Sequence, residues 1–315
     1  MRHNFSPDGL SIDHGRPPDR ADRPCWPSVE GMLASRGASG ATAWVKTWWR
    51  MQRSRAHQES LLDVLAKHPV WAQRFDQHPG YFHCAISHYV DRRFSSAQRV
   101  SALAQDLVIA DRCFGPELSA RVSSGERVLL WSLQEDVHLC LGLNDVSVHE
   151  GLWALSLRDD TGRRLYLLSF SFRSPEAMLV ATLQGPAASE ESGLCLVRRL
   201  TKQAQGLRPQ ALMMAALRAV CGAWQIGAIA GIAPQHHIKG RWNLRGKRLR
   251  FDYVGFWQEQ GGCEASDGHW SLPLMLAPRP PQDIAPQKRA MYKRRQHMID
   301  CMNSQIAKSL NGSSH

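Results

Sequence analysis

Between Glu126 and Gly185, short runs of Val, Leu, Phe, Tyr and Trp alternate with turn-forming residues. Five strands follow from that pattern, at 128–133, 137–143, 152–157, 165–172 and 178–183. Gln134-Glu135-Asp136, Asn144-Asp145, Asp159-Asp160-Thr161-Gly162 and Ser174-Pro175 separate them, which predicts an antiparallel meander with hairpin connections. The period then changes. A loop opened by Gln184-Gly185-Pro186 leads into a helix at 190–205. Met213, Leu217, Val220, Cys221 and Trp224 mark one face of a second helix, 209–222, with Pro209 in its first turn and Gly222 near its end. The apolar run 226–233 has the length and texture of a buried strand in a parallel pair. Further on come a strand-like segment at 269–276, a connector with Pro278, Pro280 and Pro281, and a basic helix at 286–310.

Upstream of the meander the period is helical. Residues 59–107 read as two or three helices broken at His68-Pro69 and His78-Pro79, because a residue before proline avoids the helical region. In the stretch 41–55, Trp44, Trp48 and Met51 share one helical face, with Val45 and Trp49 beside them and Lys46, Arg50 and Arg53 opposite. This is the pattern of a membrane-surface helix, and the competing expectation is that it docks on its own domain. Residues 1–40 show no sustained period and predict disorder. The division is therefore a disordered extension 1–40, a basic helix 41–58, one α+β domain 59–310 and a tail 311–315. The fold class is α+β: N-terminal helices, then an antiparallel meander leading into a strand–helix–strand unit.

Charge changes the picture of partners. The chain of 315 residues carries a net charge of +11 and concentrates it. Six cations and no acid fall between Lys239 and Arg250, and five cations between Lys288 and Arg295. Such runs suit an anionic ligand, an anionic membrane surface or nucleic acid, or they form a solvated basic face. Trp242, Phe251 and Tyr253 interleave the first run, as aromatics do in single-strand binders. No apolar stretch reaches the roughly 20 residues of a spanning helix. The N-terminus lacks the apolar region of a secretory signal. The eight cysteines are never closer than 26 residues, which argues against a local CxxC site and against a disulfide framework. The expected compartment is the cytoplasm, with peripheral contact at the inner membrane through the tryptophan helix.

Several chemistries are excluded. There is no GxSxG elbow, no GxGxxG fingerprint, and the nearest approach to a phosphate loop, Gly240 to Arg248, has one residue too many and no Ser or Thr after its lysine. His78, His83 and His88 are five apart, a step that turns consecutive helix positions away from each other, so no metal site is expected. What remains is a cluster just after the expected buried strand at 226–233. His237, Asp252, Tyr253 and Glu259 are the candidate catalytic residues, a histidine–carboxylate pair serving as base and Tyr253 as acid. Gln184, Gly185, Arg208, His236 and Trp257 are the candidate ligand-binding residues, Arg208 standing at a helix start where an anion is favoured. The alternative is structural: Asp252 and Glu259 answer nearby arginines while Tyr253, Phe256 and Trp257 pack a core corner. His236 and His237 are adjacent in an extended segment and should point opposite ways.

Two resemblances sharpen this. The element order is similar to that of the GNAT acyltransferases, in which a meander leads into a strand–helix–strand unit that holds the coenzyme A pyrophosphate. The glycine-rich phosphate loop of that fold is not matched by Pro186-Ala187-Ala188-Ser189. The segments HPGYFHCAISHYVDRRF, LQGPAASEESGLCLVRRLTKQAQGLRPQALMMAALRAV, QHHI, FDYVGFWQEQGG, LPL and KRAMYKRRQHMID resemble the VirK/YbjX family of bacterial proteins, in the family's order from about residue 61 to 310. That resemblance implies a proteobacterial protein associated with virulence, envelope stress and the DNA-damage response. It also implies an aspartate after the tyrosine of FDY, where this chain has Val254, leaving Asp252 as the nearby acid. Two function classes stay open. One is an acyltransferase-like enzyme using acyl-coenzyme A or an acyl carrier protein. The other is a non-catalytic regulator or adaptor that binds nucleic acid, anionic lipid or a protein through its basic runs.

Overall fold

The computed structural model describes residues 24–186, 193–242, 251–278 and 280–312. Within the stretch 1–40, where disorder is expected, Ser28 caps a short helix, α1 (Val29–Ala34), that buries Met32 and Leu33. Six residues are too few to display a helical period, which is why the sequence does not announce it. Residues 1–23 of that stretch lie outside the described residues. α2 (Ala41–Lys67) is one unbroken helix, longer than the expected 41–58 segment, because no Pro or Gly interrupts it before His68-Pro69. His68 and His78 end α2 and α3 (Pro69–Gln77), as the prolines after them require. α4 (Phe82–Ile86) follows, then α5 (Ser96–Ser123), which opens on a Ser95–Gln98 capping box and kinks at Gly115-Pro116.

The meander is β1 (Val128–Gln134), β2 (Val137–Leu143), β3 (Trp153–Arg158), β4 (Arg164–Ser174) and β5 (Ala177–Gln184), each antiparallel to the next. Then come α6 (Gly193–Gln203), α7 (Pro209–Ala223) and β6 (Ala228–Gly231), with β6 parallel to β5. α8 (Tyr253–Glu259), β7 (Cys263–Glu264), β8 (Trp270–Leu272) and α9 (Pro286–Asn311) complete the order. The eight strands form one sheet in the order β1-β2-β3-β4-β5-β6-β8-β7. The fold is α+β, and the meander and the strand–helix–strand unit share that sheet, as expected. The last strands are shorter than their apolar runs. Pro273, directly after Leu272, has no N–H to continue a ladder.

α5 packs on β2 and β4, α7 on β3 and β4, and α9 over α7 and β1. The apolar core they share runs from Met32 to Leu310. Two details of the sheet position the site. A bulge places Ala181 between the pairs Ser169↔Thr182 and Phe170↔Val180, bending β5 near its end. β6 stops at Gly231, opposite Val180, so β5 continues to Gln184 paired to β4 on one side and, among the described residues, with no strand on the other. Gly231 itself is needed for close packing: a Cβ on it would lie 2.5 Å from the Trp257 ring. Gly231→Ala should therefore displace that ring and destabilise the protein by about 1–3 kcal/mol, read as a lower thermal midpoint. A midpoint equal to that of the wild type would show that the ring has room to move.

Candidate functional site

Where β5 outruns β6, a cavity of about 340 Å³ opens between β5, α6 and α8. Thr182, Leu183, Gln184 and Gly185 line it from β5, Val197 from α6, and His237, Lys239, Phe251 and Tyr253 from the segments after β6. Tyr253 is buried because α8 turns Tyr253, Phe256 and Trp257 inwards, at the i, i+3, i+4 spacing of one helical face. Its hydroxyl stands 3.1 Å from the Thr182 hydroxyl and accepts from the Leu183 N–H at 3.4 Å, beside the free edge of β5. Burial pushes the phenol up to about 12.

His237 is fixed by a tight turn, its N–H donating to the Ala233 carbonyl, and by an antiparallel bridge to Asp91. The Lys239 N–H donates to His237 Nδ1 at 3.0 Å, which leaves the proton of the neutral ring on Nε2. That Nε2 faces Glu150 Oε1 at 3.4 Å. Glu150 is itself 1% exposed and lies behind the cavity wall. Its Oε2 accepts from Lys239 Nζ and from Gln184 Nε2, each at 3.0 Å. Burial pushes the Glu150 carboxyl up, against the opposing pull of Lys239. Burial pushes His237 down to about 4, with Lys239 adding to the effect. The group is therefore a neutral imidazole whose Nε2 faces, without a formed hydrogen bond, a desolvated carboxylate whose charge Lys239 balances.

The loop that carries Glu150 is built rigidly. The Asn144 amide donates to the Ser147 and Gly151 carbonyls, while its oxygen accepts from the Val146 and Ser147 N–H groups. Gly151 has φ 99°, and a Cβ there would lie 2.5 Å from the Phe170 carbonyl oxygen. The Ser169 hydroxyl donates to the Glu150 carbonyl.

His236 points away from the cavity, as adjacency to His237 requires. Its ring lies edge-on to His269, 5.7 Å between centroids, beside a second polar cluster. There Asp91, 1% exposed, accepts from Arg93 Nη2 at 2.7 Å and meets His269 Nε2 at 3.0 Å. Burial pushes the Asp91 carboxyl up, but the hydrogen bonds from His269 and Arg93 together outweigh it and hold the group well below the usual carboxylate range. This cluster ties the segment after α4 to β8 and, through the Asp91 bridge, supports the backbone of His237.

Of the residues expected to form one site, His237, Tyr253, Gln184 and Gly185 meet at the cavity. The others do not. Asp252 caps α8, accepting from the Gly255 N–H at 3.0 Å, and is exposed. Glu259 leaves α8 on the outer face and stands 3.6 Å from Arg208, both more than half exposed. Trp257 is core, its Nε1 donating to the Ile232 carbonyl at 2.9 Å. The salt-bridge alternative thus describes Glu259, and the packing alternative describes Trp257. Arg208 lines a different groove of about 690 Å³ with Arg198, Lys202 and Arg294, where α6 meets α9. Val197 borders both spaces. The loop at Ala187-Ala188-Ser189 and the cations Arg245, Lys247, Arg248 and Arg250 lie outside the described residues. Sequence reading missed Glu150, and its only local signal is a lone acid between Val148 and Leu152, close to a Gly. A further cavity, about 380 Å³ between α5 and β4, has Arg173 as the one titratable group in its lining, so the chemistry is sought elsewhere.

Residues 39–308 match the family model described as "Protein of unknown function (DUF535)". Over 243 residues the chain is 31% identical to an uncharacterized protein of Haemophilus influenzae, covering 77% of this chain and 81% of the relative. It is 27% identical over 221 residues to a Mannheimia haemolytica protein named membrane protein LapB, covering 68% of this chain and 93% of that one. It is also 29% identical over 168 residues to the uncharacterized protein YbjX of Escherichia coli, about half of each chain. No solved structure matches.

Proposed function

The chain belongs to the DUF535 family, and we propose that it transfers an acyl group from a phosphate-bearing thioester donor to a nucleophilic acceptor. The observation that carries this reading is the opening beside the bulged end of β5, lined by a buried phenol, His237 and Lys239, with the Glu150 carboxylate directly behind Lys239 and Gln184. The strand order supports it. An antiparallel meander passes through a helical connection into a parallel partner strand, the arrangement that the GNAT resemblance implies. The thioester lies along the free edge of β5. Glu150, reached through one water between Gln184 and Lys239, takes the proton of the acceptor amine or hydroxyl as the acceptor's lone pair bonds to the thioester carbon. The C–S bond then breaks, Tyr253 gives its proton to the departing thiolate, and solvent exchange returns the proton from Glu150 to the phenolate. His237 holds Glu150, and Lys239 balances its charge. The cationic groove lined by Arg198, Lys202, Arg208 and Arg294 takes the phosphate-bearing carrier, coenzyme A or an acyl carrier protein. An envelope acceptor agrees with the stress and virulence association that the VirK/YbjX resemblance implies.

The test is thiol release from acyl-coenzyme A and acyl carrier protein donors, offered with a panel of amine and hydroxyl acceptors. Glu150→Gln and Tyr253→Phe should each lower turnover by about 10²–10⁴-fold, with donor binding retained. A regulator or adaptor that only binds anions through the groove predicts thermal stabilisation by donors and no thiol release. That outcome would replace the enzymatic reading.

A further inference from the structure

The N-terminal half of α2 is packed the wrong way round for a helix that serves only its own domain. Its inward residues are polar: Thr47, Ser54 and Gln58 are buried, and Gln58 donates to Ser54 and to the Met51 carbonyl. Its outward residues are large and apolar. Trp44 is 36% exposed, Trp48 41%, Trp49 52% and Val45 57%. These four form one continuous face on successive turns, and such a patch marks an interaction surface.

The patch is also ordered. The Trp44 and Trp48 rings stack 6.4 Å apart with 9° between planes, and the Arg53 guanidinium lies 4.5 Å over the Trp49 ring. Trp44 Nε1 donates to Glu30 on α1 at 2.6 Å. On α2 itself the charge near the tryptophans is positive, since Lys46, Arg53 and Arg55 are exposed and residues 41–58 hold no acid, while Glu30 of α1 is the acid bound at Trp44. Among the described residues no helix is long and apolar enough to cross a membrane.

We propose that this face of α2 docks the protein on an anionic lipid bilayer, lying in the plane of the interface. Tryptophan suits that place because its body is apolar and its N–H polar, so it sits at headgroup depth. The flanking lysine and arginines meet anionic headgroups, while their aliphatic stems cover the apolar boundary. The same charge argues against a second copy of the chain as occupant. Two such faces would set six exposed cations, Lys46, Arg53 and Arg55 of each copy, against the two Glu30 carboxylates, each already bound to a Trp44 N–H.

Vesicle flotation of the full chain tests this, using phosphatidylcholine vesicles with and without phosphatidylglycerol. Binding should require phosphatidylglycerol and fall with added salt. Trp48→Ala with Trp49→Ala should weaken it about ten-fold or more. Lys46→Gln with Arg55→Gln, which keeps the four apolar side chains and the Arg53 contact on Trp49, should weaken it independently. Both tryptophans are substantially exposed, so the circular dichroism and thermal midpoint of that variant should match the wild type. Quenching of tryptophan fluorescence by brominated lipid, present in the wild type and lost in the tryptophan variant, reports the same contact without a binding assay. Wild-type protein that never floats with phosphatidylglycerol vesicles overturns the proposal. So does a tryptophan variant that floats as well as the wild type, or tryptophan-dependent dimers formed without vesicles.

Discussion

Acidification from pH 6.5 towards pH 4 should strongly destabilise the protein, because three histidines are folded in the neutral form. Burial pushes His83 down to about 2, His149 down to about 4 and His237 down to about 4. Nearby Arg36 and Arg50 add to the effect at His83, which also packs edge-on to His149, 5.3 Å between centroids. In the unfolded chain each imidazole takes up its proton near pH 6.5, while the folded ones wait until pH 4 or lower. The unfolded state therefore binds more protons throughout that window, and stability falls as the pH falls. Each group contributes about 1.4 kcal/mol per pH unit once the pH is below 6.5, so three amount to about 10 kcal/mol by pH 4. Asp106 opposes this. Its carboxyl is raised by burial to about 6, so the folded state gains a proton first and recovers about 3 kcal/mol between pH 6 and 3.8. Glu150, also raised, acts in the same sense as Asp106. The net loss of about 7 kcal/mol or less is comparable with the total stability of about 5–15 kcal/mol for a folded domain, so it shows as a large fall in urea midpoint. Urea unfolding across the pH range measures it, and His83→Gln with His149→Gln should flatten the slope. A urea midpoint unchanged between pH 6.5 and 4.5 would refute the account.

The fold was legible where one period ruled a stretch. Strands β1 to β5 end within two residues of where Asn, Asp, Gly and Pro interrupt the apolar runs. Their pairing followed from connections too short for a crossover. Proline also placed the ends of α2 and α3. Length was less legible. The apolar run 226–233 is longer than β6, because Ile232 already turns away after donating to Val180 and Ala233 begins the turn that holds His236 and His237. α2 runs past the expected bound of 41–58, and its apolar face changes sides there, from the exposed tryptophans to buried Leu61, Leu62 and Leu65.

The candidate site was half legible, for a different reason. His237 and Tyr253 stood out as polar and aromatic residues after a buried strand; His236 and His237 were expected to diverge in an extended segment, and they do diverge, though the segment is a turn. Asp252 and Glu259 were chosen by nearness in sequence. A seven-residue helix between them turns one into a cap and the other towards solvent. Glu150 is far from His237 along the chain and reaches it only because the meander folds back. No local pattern marks a carboxylate that tertiary structure alone desolvates.

Replacing Asp106 by alanine should cost more than any other single change considered, roughly 3–6 kcal/mol. Asp106 is fully buried on α5 and gathers donors from three other parts of the fold. Its Oδ1 accepts from Trp153 Nε1 of β3 at 2.8 Å and from the Phe172 N–H of β4 at 2.7 Å, and its Oδ2 accepts from the Tyr89 hydroxyl. Alanine strands all three donors away from water, each at a cost of about 1–3 kcal/mol. Asp106→Asn should cost less. Its amide oxygen keeps Trp153 and the Phe172 N–H, and its amide nitrogen donates to a Tyr89 hydroxyl that can turn to accept. The two variants should therefore rank wild type above asparagine above alanine in urea midpoint. The pH dependence separates charge from packing. Between pH 6 and 3.8 the folded carboxyl holds a proton that the unfolded one has released, so over that window wild type should gain stability on the asparagine variant as the pH falls. An alanine variant within 1 kcal/mol of wild type would mean that these donors find other acceptors.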